Sequence, residues 1–171
     1  MPFSQQKEQE PAVKPPLDCG SKRSRRRSAR PGQKEPPLRV GVPKEIKKNE
    51  HRIGLTPTAV REYVAHGHEV SIETGAGLGA GFTDADYVKA GAKIVDTAAE
   101  IFAANDMIVK VKEPQKVEWE MLREDQILFT YLHLAPDPEQ TKGLLASKCA
   151  AVAYETVTNA QGGLPLLAPM S

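Results

Sequence analysis

The sequence predicts an α/β fold in which a mostly parallel sheet carries helices on both faces. Three observations carry that expectation. From Leu38 onward, strand-like apolar runs alternate with helix-like segments, the order that builds a parallel sheet through crossover connections. Runs such as Met107-Ile108-Val109 and Ile127-Leu128-Phe129 are apolar residue after residue, as strands covered on both sides require. Two of the helix-like stretches also carry their own start and stop residues.

Taken in order, Leu38 to Pro43 predicts a short buried strand ended by proline. Thr56 to Gly67 predicts a helix: Thr56 can cap it, Pro57 suits its first position and Gly67 suits a left-handed stop. Val60, Tyr63 and Val64 then share one face. Val70 to Glu73 is a second strand, and a glycine-rich loop follows. Asp84 to Ala90 is a short helix capped by Thr83 or Asp84. Lys93 to Val95 predicts a strand, Thr97 to Ala104 a helix and Met107 to Val111 a strand. Val117 to Arg123 is helix-like, Gln126 to Tyr131 a strand, Pro138 to Ser147 a helix and Ala150 to Tyr154 a last strand. The sum is a Rossmann-like or flavodoxin-like domain over residues 38–171.

Residues 1–37 differ in texture. They are rich in Pro, Ser, Gln, Lys and Glu, a composition that buries too little apolar surface to offset the entropy of ordering. A disordered leader is expected; an RNA-binding or anionic-surface arm and a localisation tag are the functional alternatives. Lys22, Arg23, Arg25, Arg26, Arg27 and Arg30 crowd one run, so the remainder of a chain of net charge +1 is acidic. That balance gives no electrostatic case for nucleic acid or membrane binding by the whole chain. The basic run leads into Pro31-Gly32-Gln33-Lys34-Glu35-Pro36-Pro37 and not into an apolar segment, which argues against an export signal. Cys19 and Cys149 form no disulfide framework and fit free thiols in a reducing, cytoplasmic compartment.

Ligands of such sheets sit beyond the carboxyl ends of the strands. That rule points to Pro43-Lys44-Glu45, Lys112-Glu113-Pro114, Leu132-His133-Leu134 and Glu155-Thr156. A lysine such as Lys112 can hold a carboxylate as a point charge, or can snorkel at a sheet edge. His133 can exchange a proton near neutral pH, or can be a hydrogen-bonded core histidine. Arg52 lies between the first strand and first helix, where it can fork onto a carboxylate or stand in a loop. His51, His66 and His68 lack metal spacing, so no metal is assigned. Gly75-Ala76-Gly77-Leu78-Gly79-Ala80 has the spacing of a dinucleotide fingerprint. Its helix, however, cannot begin before Thr83, too late to present free N–H groups to a pyrophosphate. A structural or substrate-adjacent loop is expected there.

The segments Arg39 to Lys47, Asn49 to Arg52, Gly75 to Gly79, Leu128 to Ala135, Ala153 to Val157 and Leu164 to Ser171 resemble alanine dehydrogenases, nearly without gaps from Leu38 onward. The membrane-linked nicotinamide nucleotide transhydrogenases are similar in the opening motif and glycine loop. The stretches around His133 and Glu155 are more similar to the dehydrogenases. The resemblance implies NAD-dependent, reversible oxidative deamination of L-alanine to pyruvate and ammonia by a homohexamer. It implies that Arg52 and Lys112 hold the substrate carboxylate and its neighbouring oxygen, and that His133 is the acid–base residue. Met170 and Ser171 resemble the first contacts to NAD; Glu155 falls in a matched motif with no role attached. The resemblance also implies a substrate-binding domain cut before the NAD-binding domain, incomplete and inactive alone. A transhydrogenase substrate-side domain and a non-catalytic binding or regulatory module are the alternatives.

Overall fold

The computed structural model describes residues 36–170; the leader through Glu35, with Cys19 and the basic run, and Ser171 lie outside the described residues. Six strands, β1 (Arg39–Val42), β2 (Glu69–Glu73), β3 (Lys93–Val95), β4 (Met107–Val109), β5 (Ile127–Thr130) and β6 (Ala150–Ala153), form one sheet. Their order is β3-β2-β1-β4-β5-β6 and every neighbouring pair is parallel. This is the doubly wound, Rossmann-like order rather than the flavodoxin one. Successive strands step one way from β1 to β3 and the other way from β4 to β6, so the direction in which strands are added reverses between β1 and β4.

The helices are α1 (Pro57–Ala65), α2 (Asp84–Lys89), α3 (Ala98–Ala104), α4 (Lys116–Trp119) and α5 (Pro138–Ser147). Their starts follow from side chains that accept otherwise orphaned N–H groups. Thr56 accepts from Ala59 N, and Pro57 opens α1. Thr83 with Asp86 and Thr97 with Glu100 form reciprocal capping boxes on α2 and α3. Asp137 accepts from Gln140 N at 3.0 Å and caps α5. Gly67 beyond α1 has the left-handed backbone expected of it, with φ +85°. α4 is shorter than the expected span to Arg123: Met121 N and Leu122 N bond three residues back, to Glu118 O and Trp119 O, tightening the segment into turns.

Alternation along each strand sorts the core into two layers. Val40, Val42, Val70, Ile72 and Val109 pack with Val60 of α1 and Tyr87 of α2 on one face. Ile108 and Leu128 pack with Ile101 and Phe102 of α3 and Leu144 of α5 on the other. Tyr87 is fully buried and its hydroxyl donates to Leu55 O at 3.0 Å, so burial pushes its pKa up to about 12. On the first face, Val109, Val111, Phe129 and Tyr154 border a pocket of about 390 Å³ instead of a helix, closed on one side by Leu166.

Candidate active site

The crevice of a doubly wound sheet opens where the strand order reverses, beyond the carboxyl ends of β1 and β4. Here β1 hands on to Glu45, and β4 to Lys110 and Lys112. β4 is shorter than the expected run to Val111 because a side chain takes over from the ladder. Val111 N donates to Glu45 Oε1 at 2.6 Å, and Lys112 N reaches the same oxygen at 3.4 Å. Lys110 turns inward instead and meets Glu45 at 3.1 Å and Glu118 at 2.6 Å. All three side chains are at most 2% exposed. Burial pushes the Glu118 carboxyl up, against the pull of Lys110. An ion cluster of this depth draws its strength from complete hydrogen bonding, and Glu118 Oε2 is satisfied by Gln115 N at 2.7 Å.

Arg52 stands in the loop between β1 and α1, where Glu50 fixes it. Arg52 Nε donates to Glu50 Oε1 at 2.9 Å and Nη2 donates to Oε2 at 2.7 Å. The hydrogen bond from Arg52 draws the Glu50 carboxyl down to about 2, with Lys112 a smaller contributor. A planar guanidinium held on one edge keeps its remaining N–H groups in a fixed direction. Arg52 lines both the larger pocket and a polar one of about 220 Å³ shared with Lys44, Glu45, Glu50, His51 and the glycine loop.

Lys112 and His133 meet through Tyr131. The Lys112 ammonium lies 5.1 Å from the centre of the Tyr131 ring, within the range of a cation–π contact. On the same tyrosine the His133 imidazole stacks at 5.4 Å and 20°, with the hydroxyl 3.0 Å from Nδ1. Engaged through Nδ1, the ring keeps Nε2 for a ligand. Lys112 and His133 line neither pocket; His133 is exposed and Lys112 half-buried. Glu155, at the exit of β6, accepts from Leu132 N and His133 N, both at 3.0 Å. Tyr154 beside it donates to Val111 O, and burial pushes its pKa up to about 12.

Of the residues singled out from sequence, Arg52, Lys112 and His133 thus fall at one end of the sheet, linked through Glu50 and Tyr131. Met170 belongs to the turn Ala168–Met170, but its side chain, like Ser171, lies outside the described residues. Glu45, Glu50, Glu118 and Tyr131 gained no role from sequence reasoning. The Gln115-to-Glu118 capping spacing was the one local signal among them.

In the glycine loop, Asp84 Oδ1 accepts from Gly75 N and Oδ2 from the Thr74 hydroxyl, both at 2.9 Å. A carboxylate there is unfavourable for an anion beside Gly75. The helix begins only at Asp84, and the loop borders Arg52 and His51 in the smaller pocket. Among the described residues no group of three or more His, Cys, Asp or Glu could hold a metal ion, and no helix is long and apolar enough to cross a membrane.

Comparison with known proteins agrees with this geometry. The family described as "Alanine dehydrogenase/PNT, N-terminal domain" matches residues 41–171. The alanine dehydrogenase of Methanococcus maripaludis is 58% identical over 132 residues, covering 77% of this chain and 35% of that protein. That of Mycobacterium tuberculosis is 52% identical over 134 residues, covering 78% of this chain and 36% of that protein. Among solved structures, an L-alanine dehydrogenase matches with TM-score 0.75 and 52% identity over 78% of this chain and 37% of that one. A transhydrogenase from Sinorhizobium meliloti matches more weakly, with TM-score 0.67 and 28% identity over 72% of this chain and 35% of that one. The chain spans about 35% of the length of these curated relatives, and it belongs to the alanine dehydrogenase/PNT N-terminal domain family.

Proposed function

We propose that this chain is the substrate side of an NAD-dependent alanine dehydrogenase, which converts L-alanine reversibly to pyruvate and ammonia. The observation that carries the reading is the placement of Arg52 in the loop after β1 and of Lys112 and His133, both against the Tyr131 ring, beyond β4 and β5, all at one end of the sheet. Similarity to alanine dehydrogenases at 52–58% identity supports it. NAD would accept the hydride, and Met170 and Ser171 are proposed to touch it at the boundary with a further domain. The reading carries with it homohexameric assembly and a cytoplasmic setting.

The residues' tasks follow from their chemistry. Arg52 and Lys112 fix the substrate carboxylate and its neighbouring oxygen, which orients the Cα–H bond and stabilises the anion once water is excluded. Glu50 neutralises and aims the guanidinium without using all of its donors. His133 passes a proton to and from the oxygen of the carbinolamine as water adds to the imine. With Nδ1–H donating to the Tyr131 oxygen, the imidazolium can give its Nε2 proton to the carbinolamine oxygen, and the neutral imidazole can take it back at Nε2. A reversible reaction uses both of these protonation states.

A chimera tests this assignment, with residues 41–171 replacing the matching segment of the M. maripaludis enzyme. Lys112→Ala in that chimera is expected to lower kcat/KM for L-alanine by about 10- to 100-fold, the loss of one charged hydrogen bond. An unchanged kcat/KM would remove Lys112 from the site.

A further inference from the structure

We propose that Glu155 is a positioning residue for His133: its carboxylate holds the loop after β5 in the conformation that lays the imidazole on Tyr131. The inference rests on the reading of His133 as the proton-exchanging group. The β5–β6 ladder ends at the Thr130–Ala153 pair, so the N–H groups of Leu132 and His133 need acceptors other than a strand. Glu155 Oε1 supplies one to both, at 3.0 Å each. Donation to an ionised carboxylate is stronger than donation to a carbonyl. Glu155 Oε2 is buried with no hydrogen-bond partner among the described residues, so Oε1 carries the anchoring.

His133 requires such an anchor. Its φ is +45°, in the left-handed region that a residue with a Cβ adopts at a cost. The side chain is exposed, so core packing does not hold it there. Leu132 beside it is 3% exposed, and its carbonyl accepts from Gln140 Nε2 at 2.8 Å. The backbone is therefore pinned on the Leu132 side by packing and on the His133 side by Glu155. A loop whose need was shape would be served by glycine at this position. A histidine there, at positive φ and stacked at 5.4 Å on Tyr131, points to placement of the ring as the purpose.

The test is NMR of the isotope-labelled 171-residue chain as wild type, Glu155→Gln and Glu155→Ala. The wild type is expected to show cross-relaxation between the Tyr131 and His133 rings and slow exchange of the His133 amide. Glu155→Ala should abolish the ring contact and speed that exchange by about tenfold or more, the loss of one anchoring hydrogen bond. Glu155→Gln, whose amide oxygen still accepts, should rescue the ring contact with intermediate exchange. Protection of Val40 and Ile72 should be the same in all three proteins. Persistence of the ring contact in Glu155→Ala would overturn the proposal. So would collapse of Val40 and Ile72 protection in both variants, since Glu155 would then support the fold at large. The readout involves no turnover. A ring held by Glu155 while His133→Ala retains alanine turnover would sink the proton-transfer reading and leave the placement standing.

Discussion

Arg52 meets a ligand with one edge already committed. Its bidentate bond to Glu50 is the reason that the Glu50 carboxyl lies at about 2, below its ordinary 4.5. A carboxylate whose pKa is depressed by folding contributes stability that is present above its unfolded value and lost as the pH falls through its folded one. Glu50→Gln is therefore expected to flatten the acid-unfolding profile between pH 4.5 and about 2, measured by circular dichroism; an unchanged slope there would contradict the pairing. Arg52, Lys112 and His133 could be singled out from sequence because each stands in a motif that resembles the family, and the structure places all three at one end of the sheet. Glu45 and Glu118 were not legible as partners of Lys110. They lie 65 and 8 residues from it, and nothing local announces which charged side chain will be buried.

Elements were legible where their termini carried chemistry. Thr56 and Thr83 cap the helices as their sequence predicts, and Thr97 and Asp137 prove to cap α3 and α5 in the same way. Ends set by tertiary contacts were missed: Glu45 takes Val111 N out of the β4 ladder. The loop carrying Arg52 depends on a close approach to the same strand. A Cβ at Gly54 would lie 2.6 Å from Val109 O and 2.9 Å from Val109 C, both backbone atoms that cannot swing aside. Gly54→Ala is expected to destabilise the domain by about 1–3 kcal/mol through this overpacking, read from urea unfolding. An unaltered midpoint would mean that the loop is free to lift from β4. Within α2, Tyr87 contributes stability that is fully present below about pH 10 and lost as the pH rises through about 12. Tyr87→Phe should remove that alkaline dependence and cost about 1 kcal/mol at neutral pH, where Leu55 O loses its donor.

At the scale of the molecule, the reversal of strand order brings the exits of β1 and β4 together at one end of the sheet. Lys112 and His133 stand outside the two cavities that Arg52 lines, and the proposed reaction requires water to be excluded around them. The apolar side chains of Leu134, Val157, Leu164 and Leu166 are 37–41% exposed. The fold class was legible from alternation and apolar runs, whereas strand order was not, since parallel strands leave no turn signature for which neighbour they choose.

The proposed role of His133 is to exchange the proton in alanine dehydrogenation. Its most direct test is NAD reduction by the M. maripaludis chimera with L-alanine, as wild type and as His133→Ala. Alanine-dependent turnover that falls by about 10²-fold or more in kcat on the substitution, the usual contribution of a general acid–base group, is the result expected. A folded chimera that turns over L-alanine equally well without the imidazole would contradict it.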